Sequence, residues 1–181
     1  LSINSSAFIR PSPSDGHLGG VAKKTYESIL CLEEAGYNII FVETMGVGQA
    51  ETAVYDMVDI FLVLLLPSWG DELQGIKRGI IELADILIVN KADGNLEATA
   101  KSTVLDYKNA MKLQKARHEN WSVPVLSISA LKSEGIDEVW EEILKLKSHL
   151  HSSDIFSKNR SSQDEKWQKK KKKNLIISMM E

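Results

Sequence analysis

Residues 86–93 read ILIVNKAD, and this stretch decides the fold because four apolar residues end abruptly in a polar turn. A short, mostly β-branched run of this kind predicts a buried strand. The predicted strands are residues 38–43 (NIIFVE), 60–66 (IFLVLLL), 86–89 (ILIV) and 123–128 (VPVLSI). Amphipathic patterns predict helices at residues 20–35, 72–83, 96–119 and 136–149. Apolar strands separated by helices indicate an α/β fold, with a mostly parallel sheet covered by helices on both faces.

The composition excludes several classes of partner. The 181 residues carry a net charge of −3 although residues 169–173 are five consecutive lysines, so the rest of the chain is more acidic still. An acidic body argues against nucleic acid as a partner. The longest apolar run, at residues 60–67, is far shorter than the roughly 20 residues that span a bilayer, which predicts no membrane insertion. Cys31 is the single cysteine, so no internal disulfide and no local transition-metal motif are expected.

The chain is predicted to divide near residue 150. Residues 1–150 hold all the predicted strands, whereas from residue 151 the composition changes to Ser, Lys, Gln and Asn. We expect residues 151–162 to be a flexible linker and a helix to resume after Gln163. The lysine run at residues 169–173 is interpreted as a solvated helix face, with a basic contact patch as the alternative.

The polar turn Asn90-Lys91-Ala92-Asp93 matches NKxD, the signature with which GTPases read guanine. The carboxylate of Asp93 can accept hydrogen bonds from guanine N1–H and from the N2 amino group, neither of which adenine offers. The stem of Lys91 can lie over the purine ring, and Asn90 can tie neighbouring loops together. The alternative is an ordinary polar turn in which Asp93 caps the next helix.

A second turn, Ser129-Ala130-Leu131, follows the last predicted strand. In GTPases such a turn directs a backbone N–H at guanine O6, and small side chains let the backbone approach the base. An ordinary strand-to-helix turn is the alternative. Because ligands of parallel sheets bind at the carboxyl ends of the strands, the two turns together predict a guanine pocket.

The segment after the first predicted strand fits a switch that senses phosphate. Glu43 and Gly46 match DxxG with Glu in place of Asp, so Glu43 can hold Mg²⁺ through water and the Gly46 N–H can meet a γ-phosphate. Gln49 is a candidate for orienting the attacking water. Residues 71–77 (DELQGIK) are interpreted either as an acidic first helical turn or as a switch that faces a partner. All four histidines are scattered and are interpreted as non-catalytic.

Four segments together resemble the MeaB/ArgK/MMAA family of P-loop GTPases. They are residues 8–21 (FIRPSPSDGHLGGV), 43–51 (ETMGVGQAE), 70–80 (GDELQGIKRGI) and 90–93 (NKAD). The resemblance implies a P-loop NTPase-type sheet, binding of GTP or GDP with Mg²⁺, and GTPase activity. It also implies a chaperone role for adenosylcobalamin-dependent methylmalonyl-CoA mutase, with cobalamin held by that partner, and a homodimer formed through a C-terminal helical arm. Eukaryotic members are mitochondrial and bacterial members cytoplasmic, and we favour the mitochondrion.

One departure from the family pattern concerns the phosphates. No GxxxxGK[ST] sequence occurs in the 181 residues, and the family's first strand and phosphate-binding loop are expected before the point where this sequence starts. They are either encoded upstream or lost in a degraded copy, which would bind guanine weakly, or bind the mutase, without turnover. Since phosphoryl transfer depends on positioning and charge stabilisation, we expect no hydrolysis by these residues alone.

Overall fold

The computed structural model describes residues 6–11, 21–44, 50–67, 78–114 and 117–179. The chain divides into two compact units, Leu1–Val58 and Asp59–Glu181. The division at residue 150 that the sequence suggests therefore stays a prediction.

In the first unit, helix α1 spans Val21–Glu34 and helix α2 spans Ala50–Tyr55. Tyr26 and Ile29 are buried one turn apart on α1. Gly36 ends α1 in the left-handed region, with φ of 89°. The N–H groups of Gly36 and Tyr37 donate to the carbonyls of Glu33 and Leu32, both at 3.0 Å. This is a Schellman motif, and it satisfies carbonyls that the helix end leaves open.

The predicted strand at residues 38–43 is wrong. These residues are irregular, and no strand among the described residues pairs with them. Ile39 and Phe41 are 55% and 76% exposed. Apolar alternation makes a segment suited to a sheet, but a strand exists only where a neighbour accepts and donates its backbone hydrogen bonds.

The second unit contains a three-stranded parallel sheet in the order β1-β2-β3. Strand β1 spans Leu62–Leu65, β2 spans Ile86–Val89 and β3 spans Val125–Ser127. Leu65 pairs with Val89, and Val89 pairs with Ser127, so all three strands end at the same edge. Central β2 is buried at all four positions, as the continuous apolar run ILIV predicts.

Helices connect the strands, as parallel pairing requires. Helix α3 spans Arg78–Ile81, a 3₁₀ turn spans Gly94–Leu96, α4 spans Glu97–Lys112 and α5 spans Ile136–Ser152. Ile86 and Ile88 of β2 form a core cluster with Val139 of α5, while α4 packs against β2 and β3. Helix α4 ends seven residues before the predicted end at 119, and residues 72–77 of another predicted helix lie outside the described residues.

The linker expected at residues 151–162 is instead helical. Helix α6 spans Ile155–Ser178 and follows α5 after a two-residue turn. Arg160 makes a two-fold ion pair with Asp59 at 2.5 and 2.6 Å, and its guanidinium lies 5.4 Å from the ring centre of Phe156. Polar composition suggested disorder, but these side chains anchor the first half of α6 to residues near β1.

The lysine run lies on the second half of α6. All five of these lysines are exposed, and the ammonium of Lys171 lies 4.8 Å from the ring centre of Trp167. Leu175, Ile176 and Ile177 beyond the run are also exposed. A search of the described helices finds none that is long and apolar enough to cross a membrane.

We predict that Tyr107→Phe stabilises the protein. Tyr107 on α4 is 3% exposed, and its hydroxyl has no hydrogen-bond partner among the described residues. Burial also raises the pKa of this hydroxyl. An unpaired buried hydroxyl costs about 1 kcal/mol or more, so its removal should raise the free energy of unfolding by about that amount, measured in urea.

Thr103→Val on the same helix is the matched control for Tyr107→Phe. The Thr103 hydroxyl is fully buried but donates to the Thr99 carbonyl at 2.9 Å. Its removal should lower stability by about 1 kcal/mol. If Tyr107→Phe lowered the free energy of unfolding as much as Thr103→Val does, the Tyr107 hydroxyl would not be unpaired.

Candidate functional site

Two polar loops follow neighbouring strands at the carboxyl edge of the sheet. Residues 90–93 follow β2 and residues 129–134 follow the end of β3, and we call these segments the two polar loops. Backbone bonds hold them in line with the strands, because the N–H of Asn90 donates to the Leu65 carbonyl and the N–H of Ala92 to the Ile128 carbonyl, both at 2.9 Å. Backbone bonds to the sheet therefore hold both loops in place where they leave the strands.

Asn90 joins the two polar loops through one side-chain oxygen. Its Oδ1 accepts the N–H of Lys91 at 2.7 Å and the N–H of Ala130 at 3.2 Å. Lys91 has a φ of 60°, which is uncommon for a residue with a side chain and costs of the order of 1 kcal/mol. The left-handed backbone lets the chain turn back over Asn90 and leaves the Lys91 side chain exposed.

Asp93 and Ser129 form the second link between the loops. The Ser129 hydroxyl donates to Oδ2 of Asp93 and accepts the N–H of Lys132 at 3.1 Å. Ser129 is 1% exposed, so this bond is shielded from water. Asp93 takes the N-cap position of the 3₁₀ turn but makes no side-chain capping bond. The capping alternative therefore does not account for its carboxylate, which is held by Ser129 instead.

The second polar loop is closed into a small ring. The N–H of Ser129 donates to the Glu134 carbonyl at 3.0 Å, and the N–H of Glu134 donates to the Ser129 carbonyl at 3.1 Å. Ala130 and Leu131 lie at the open side of the ring, and Leu131 is 88% exposed. Ala130 has no side chain beyond Cβ, so its backbone is accessible to a planar ligand.

A cavity of about 230 Å³ adjoins the second loop and the start of α4. Its lining includes Ala92, Ser127 and an ion pair between Glu97 and Lys101, whose charged atoms lie 2.7 Å apart. The hydrogen bond and charge of Lys101 lower the pKa of Glu97. This pair is exposed, so it contributes little to stability.

A buried charge cluster that the sequence analysis missed lies at the opposite end of β2. Asp85 is fully buried, and its Oδ2 accepts the N–H of Phe61 at 2.8 Å and Nη1 of Arg117 at 2.9 Å. Nε2 of His118 lies 3.1 Å from Oδ1, within ion-pair distance but without hydrogen-bond alignment. Trp121 Nε1 donates to the Asp85 carbonyl at 3.1 Å. This cluster fastens residues 117–121 to the sheet.

The sequence signal for this cluster was an acidic residue placed directly before an apolar strand. An Asp in that position is unusual unless it is paired, since an isolated buried carboxylate is costly. Arg117 and His118, the partners, are more than 30 residues away in sequence, so the pairing itself had no local signature.

The phosphate-side predictions fall largely outside the described residues. Gly46, Gln49 and residues 71–77 are not described, whereas Glu43 is described and exposed in the first unit. Mg²⁺ is held in proteins by one or two carboxylates together with substrate phosphates, which Glu43 suits by its chemistry. No group of three His, Cys, Asp or Glu side chains that could hold a metal ion occurs within the described ranges.

Comparisons with known proteins agree with this architecture. Among solved structures, the chain is similar to the LAO/AO transport system kinase, with a TM-score of 0.85 and 35% identity, covering 98% of this chain and 55% of that one. A mouse protein, "Methylmalonic aciduria type A homolog, mitochondrial", is 47% identical over 92% of this chain and 40% of its own length. GTPase ArgK of Escherichia coli is 40% identical over 95% of this chain and 52% of its own length.

The fold is that of the P-loop NTPase class, seen here as an open parallel sheet with helices. The family model "Methylmalonyl Co-A mutase-associated GTPase MeaB" matches residues 1–181. The chain belongs to this family of GTPases, as the resemblance in the sequence predicted. It spans about half the length of the curated relatives it matches.

Proposed function

We propose that this chain binds guanine nucleotides through the two polar loops and serves a GTPase cycle. The observation that carries the proposal is the pair of links between the loops, Asn90 to Ala130 and Asp93 to Ser129. These links arrange a carboxylate, an exposed lysine and a bare backbone turn at one edge of the sheet. Membership of a GTPase family supports the same reading.

The chemistry of the loops favours guanine over adenine. The Asp93 carboxylate is an acceptor on both oxygens, and guanine presents two adjacent donors where adenine presents none. Ser129 already donates to Oδ2, which fixes the carboxylate plane before a base arrives. A base without these two donors would leave the carboxylate with fewer hydrogen bonds in a partly buried site, which is a strong basis for rejection.

The remaining parts of the proposal rest on the family. We propose that Glu43 holds Mg²⁺ through water, that the Gly46 N–H meets the γ-phosphate and that Gln49 orients the attacking water. We further propose that the whole protein acts on adenosylcobalamin-dependent methylmalonyl-CoA mutase in cofactor loading and protection, forms a homodimer and works in the mitochondrion. The mouse relative, named as mitochondrial, supports the compartment. Cobalamin stays with the mutase in this scheme.

We predict that the chain binds GDP about a hundredfold or more tightly than ADP. The two nucleotides share sugar and phosphates, so the ratio of their Kd values isolates the base. Displacement of a fluorescent GDP analogue by each nucleotide measures it. Inosine diphosphate, which keeps N1–H but lacks the N2 amino group, should fall between them. Equal Kd values for GDP and ADP would contradict guanine reading by these loops.

A non-catalytic role is the second candidate, because no GxxxxGK[ST] sequence occurs in the 181 residues. In that case the chain binds guanine nucleotide weakly, or binds the mutase, without turnover. Neither candidate predicts hydrolysis by these 181 residues alone, so single-turnover hydrolysis of GTP is measured on the whole protein. The first candidate produces phosphate above the buffer rate, and the second does not.

A further inference from the structure

Helix α5 begins at Gly135, whose backbone packs closely against the end of β3. Gly135 takes the N-cap position of α5 with a φ of 77°, in the left-handed region that favours glycine. A Cβ at this position would lie 2.6 Å from the carbonyl oxygen of Ser127 and 3.1 Å from Cγ2 of Ile128. The first distance is shorter than real contacts allow, and its partner is backbone rather than a flexible side chain. Gly135 therefore sets how closely α5 approaches the strand.

The backbone that Gly135 touches leads directly into both polar loops. The carbonyl of Ile128 accepts the N–H of Ala92, which precedes Asp93 in the first loop. Ser129, the next residue, holds Asp93 through its hydroxyl and closes the second loop with Glu134. A shift of a few tenths of an ångström at residues 127–128 would thus reach Asp93 in the first loop and Ser129 in the second.

We propose that Gly135 is a positioning residue for base recognition: its missing side chain lets α5 hold the end of β3 where Ser129 orients the Asp93 carboxylate. This inference rests on the proposed guanine-binding function. It adds a determinant that does not itself touch the base, since Gly135 acts through Ser127 and Ile128. The specificity of the pocket then depends on the packing of α5 as well as on the side chains of the loops.

The test compares Gly135→Ala with Gly36→Ala in the full 181-residue chain. Gly36 has a similar φ of 89°, but a Cβ there would meet nothing within 4 Å. The control therefore carries the cost of a left-handed alanine without the collision. Should Gly135→Ala fail to fold, Gly135→Asn replaces it, because Asn tolerates a positive φ while its Cβ meets the same carbonyl.

Two readouts are measured on each variant. The first is amide hydrogen exchange at Ala92 and Ser129, whose N–H groups bond to Ile128 and Glu134, with Asn90, bonded to Leu65, as internal reference. We expect exchange at Ala92 and Ser129 to rise about tenfold relative to Asn90 in Gly135→Ala only. The second is the ratio of the Kd values for inosine diphosphate and GDP, which should fall about tenfold in the same variant because an ill-placed carboxylate loses the N2 amino group first.

Unchanged exchange in the Gly135 variant would overturn the positioning role, whatever nucleotide binding does. Faster exchange together with an unchanged ratio of the Kd values for inosine diphosphate and GDP would overturn the role of Gly135 in base recognition. If Gly36→Ala changed amide exchange and the Kd ratio as much as Gly135→Ala does, the positioning role would also be overturned, because general destabilisation would explain both variants. A wild-type chain without preference for guanine would refute the proposed function instead, and exchange would then alone decide whether Gly135 positions the loops.

Discussion

Asp93→Asn is expected to weaken GDP binding about a hundredfold and to create a preference for xanthosine diphosphate. A carboxylate can accept from both guanine donors, whereas an asparagine amide presents one acceptor and one donor group. In the variant, the NH₂ group of asparagine would meet the N2 amino group of guanine, and two donors cannot bond to each other. One hydrogen bond from guanine to a charged acceptor is therefore lost, worth about 1.5–3 kcal/mol, or roughly one to two powers of ten in Kd. Xanthine carries an oxygen at that position, so the same amide donor gains a partner.

The Kd values of GDP, xanthosine diphosphate and ADP for each variant check this expectation. Asp137→Asn provides the control, since Asp137 is an exposed acid in the first turn of α5 and its replacement makes the same change of charge. A parallel loss for all three nucleotides would mean that Asp93 supports the loop rather than reads the base. A loss in the control of the same size would point to a general effect of charge.

Asp85→Ala is expected to lower the free energy of unfolding by about 3–5 kcal/mol, a large part of the stability of a domain of this size. The substitution removes the carboxylate oxygen that accepts both the Phe61 N–H and Nη1 of Arg117. His118, which is 3% exposed, also loses its neighbour. Truncation of one partner in such an ion pair is costly because the other charge stays largely out of water, and the Arg117 side chain is only 17% exposed.

Urea unfolding measures this loss of stability. Asp85→Asn is measured beside Asp85→Ala to separate the loss of the charge from the loss of the hydrogen-bond acceptor. The amide oxygen of asparagine can still accept the Phe61 N–H but carries no charge for Arg117, so its loss should be smaller than that of alanine. Asp137→Ala, at an exposed site, should change stability by about 0.5 kcal/mol or less. A loss below about 1 kcal/mol for Asp85→Ala would show that residues 117–121 are held mainly by other contacts.

The sequence predicted the parts of the fold whose cause is local and continuous. Residues 86–89 form a strand with the predicted bounds, because four consecutive apolar residues suit a central strand that is buried on both faces. The placement of the two polar loops at one edge also followed, since parallel strands bring their carboxyl ends together. The structure links these loops from Asn90 to Ala130 and from Asp93 to Ser129, while their role in reading guanine stays a prediction.

Long-range pairing explains what the sequence did not reveal. Asp85 meets Arg117 and His118 across more than 30 residues, and no periodicity encodes such a contact. Residues 38–43 have strand composition but no pairing among the described residues, and composition cannot supply a neighbour. In residues 151–162, polarity suggested a linker, yet Arg160 and Phe156 anchor that stretch as helix through contacts that only the folded chain provides.

The ion pair between Asp59 and Arg160 bears on the order of events during protein synthesis. Its partners are 101 residues apart and join the entry to β1 to the first half of α6. At about 5–20 residues per second, the ribosome delivers Arg160 several seconds after Asp59. The strands can form in that interval, but the contact between Asp59 and α6 waits for Arg160. Until then the carboxylate of Asp59 lacks the guanidinium with which it pairs in the folded chain.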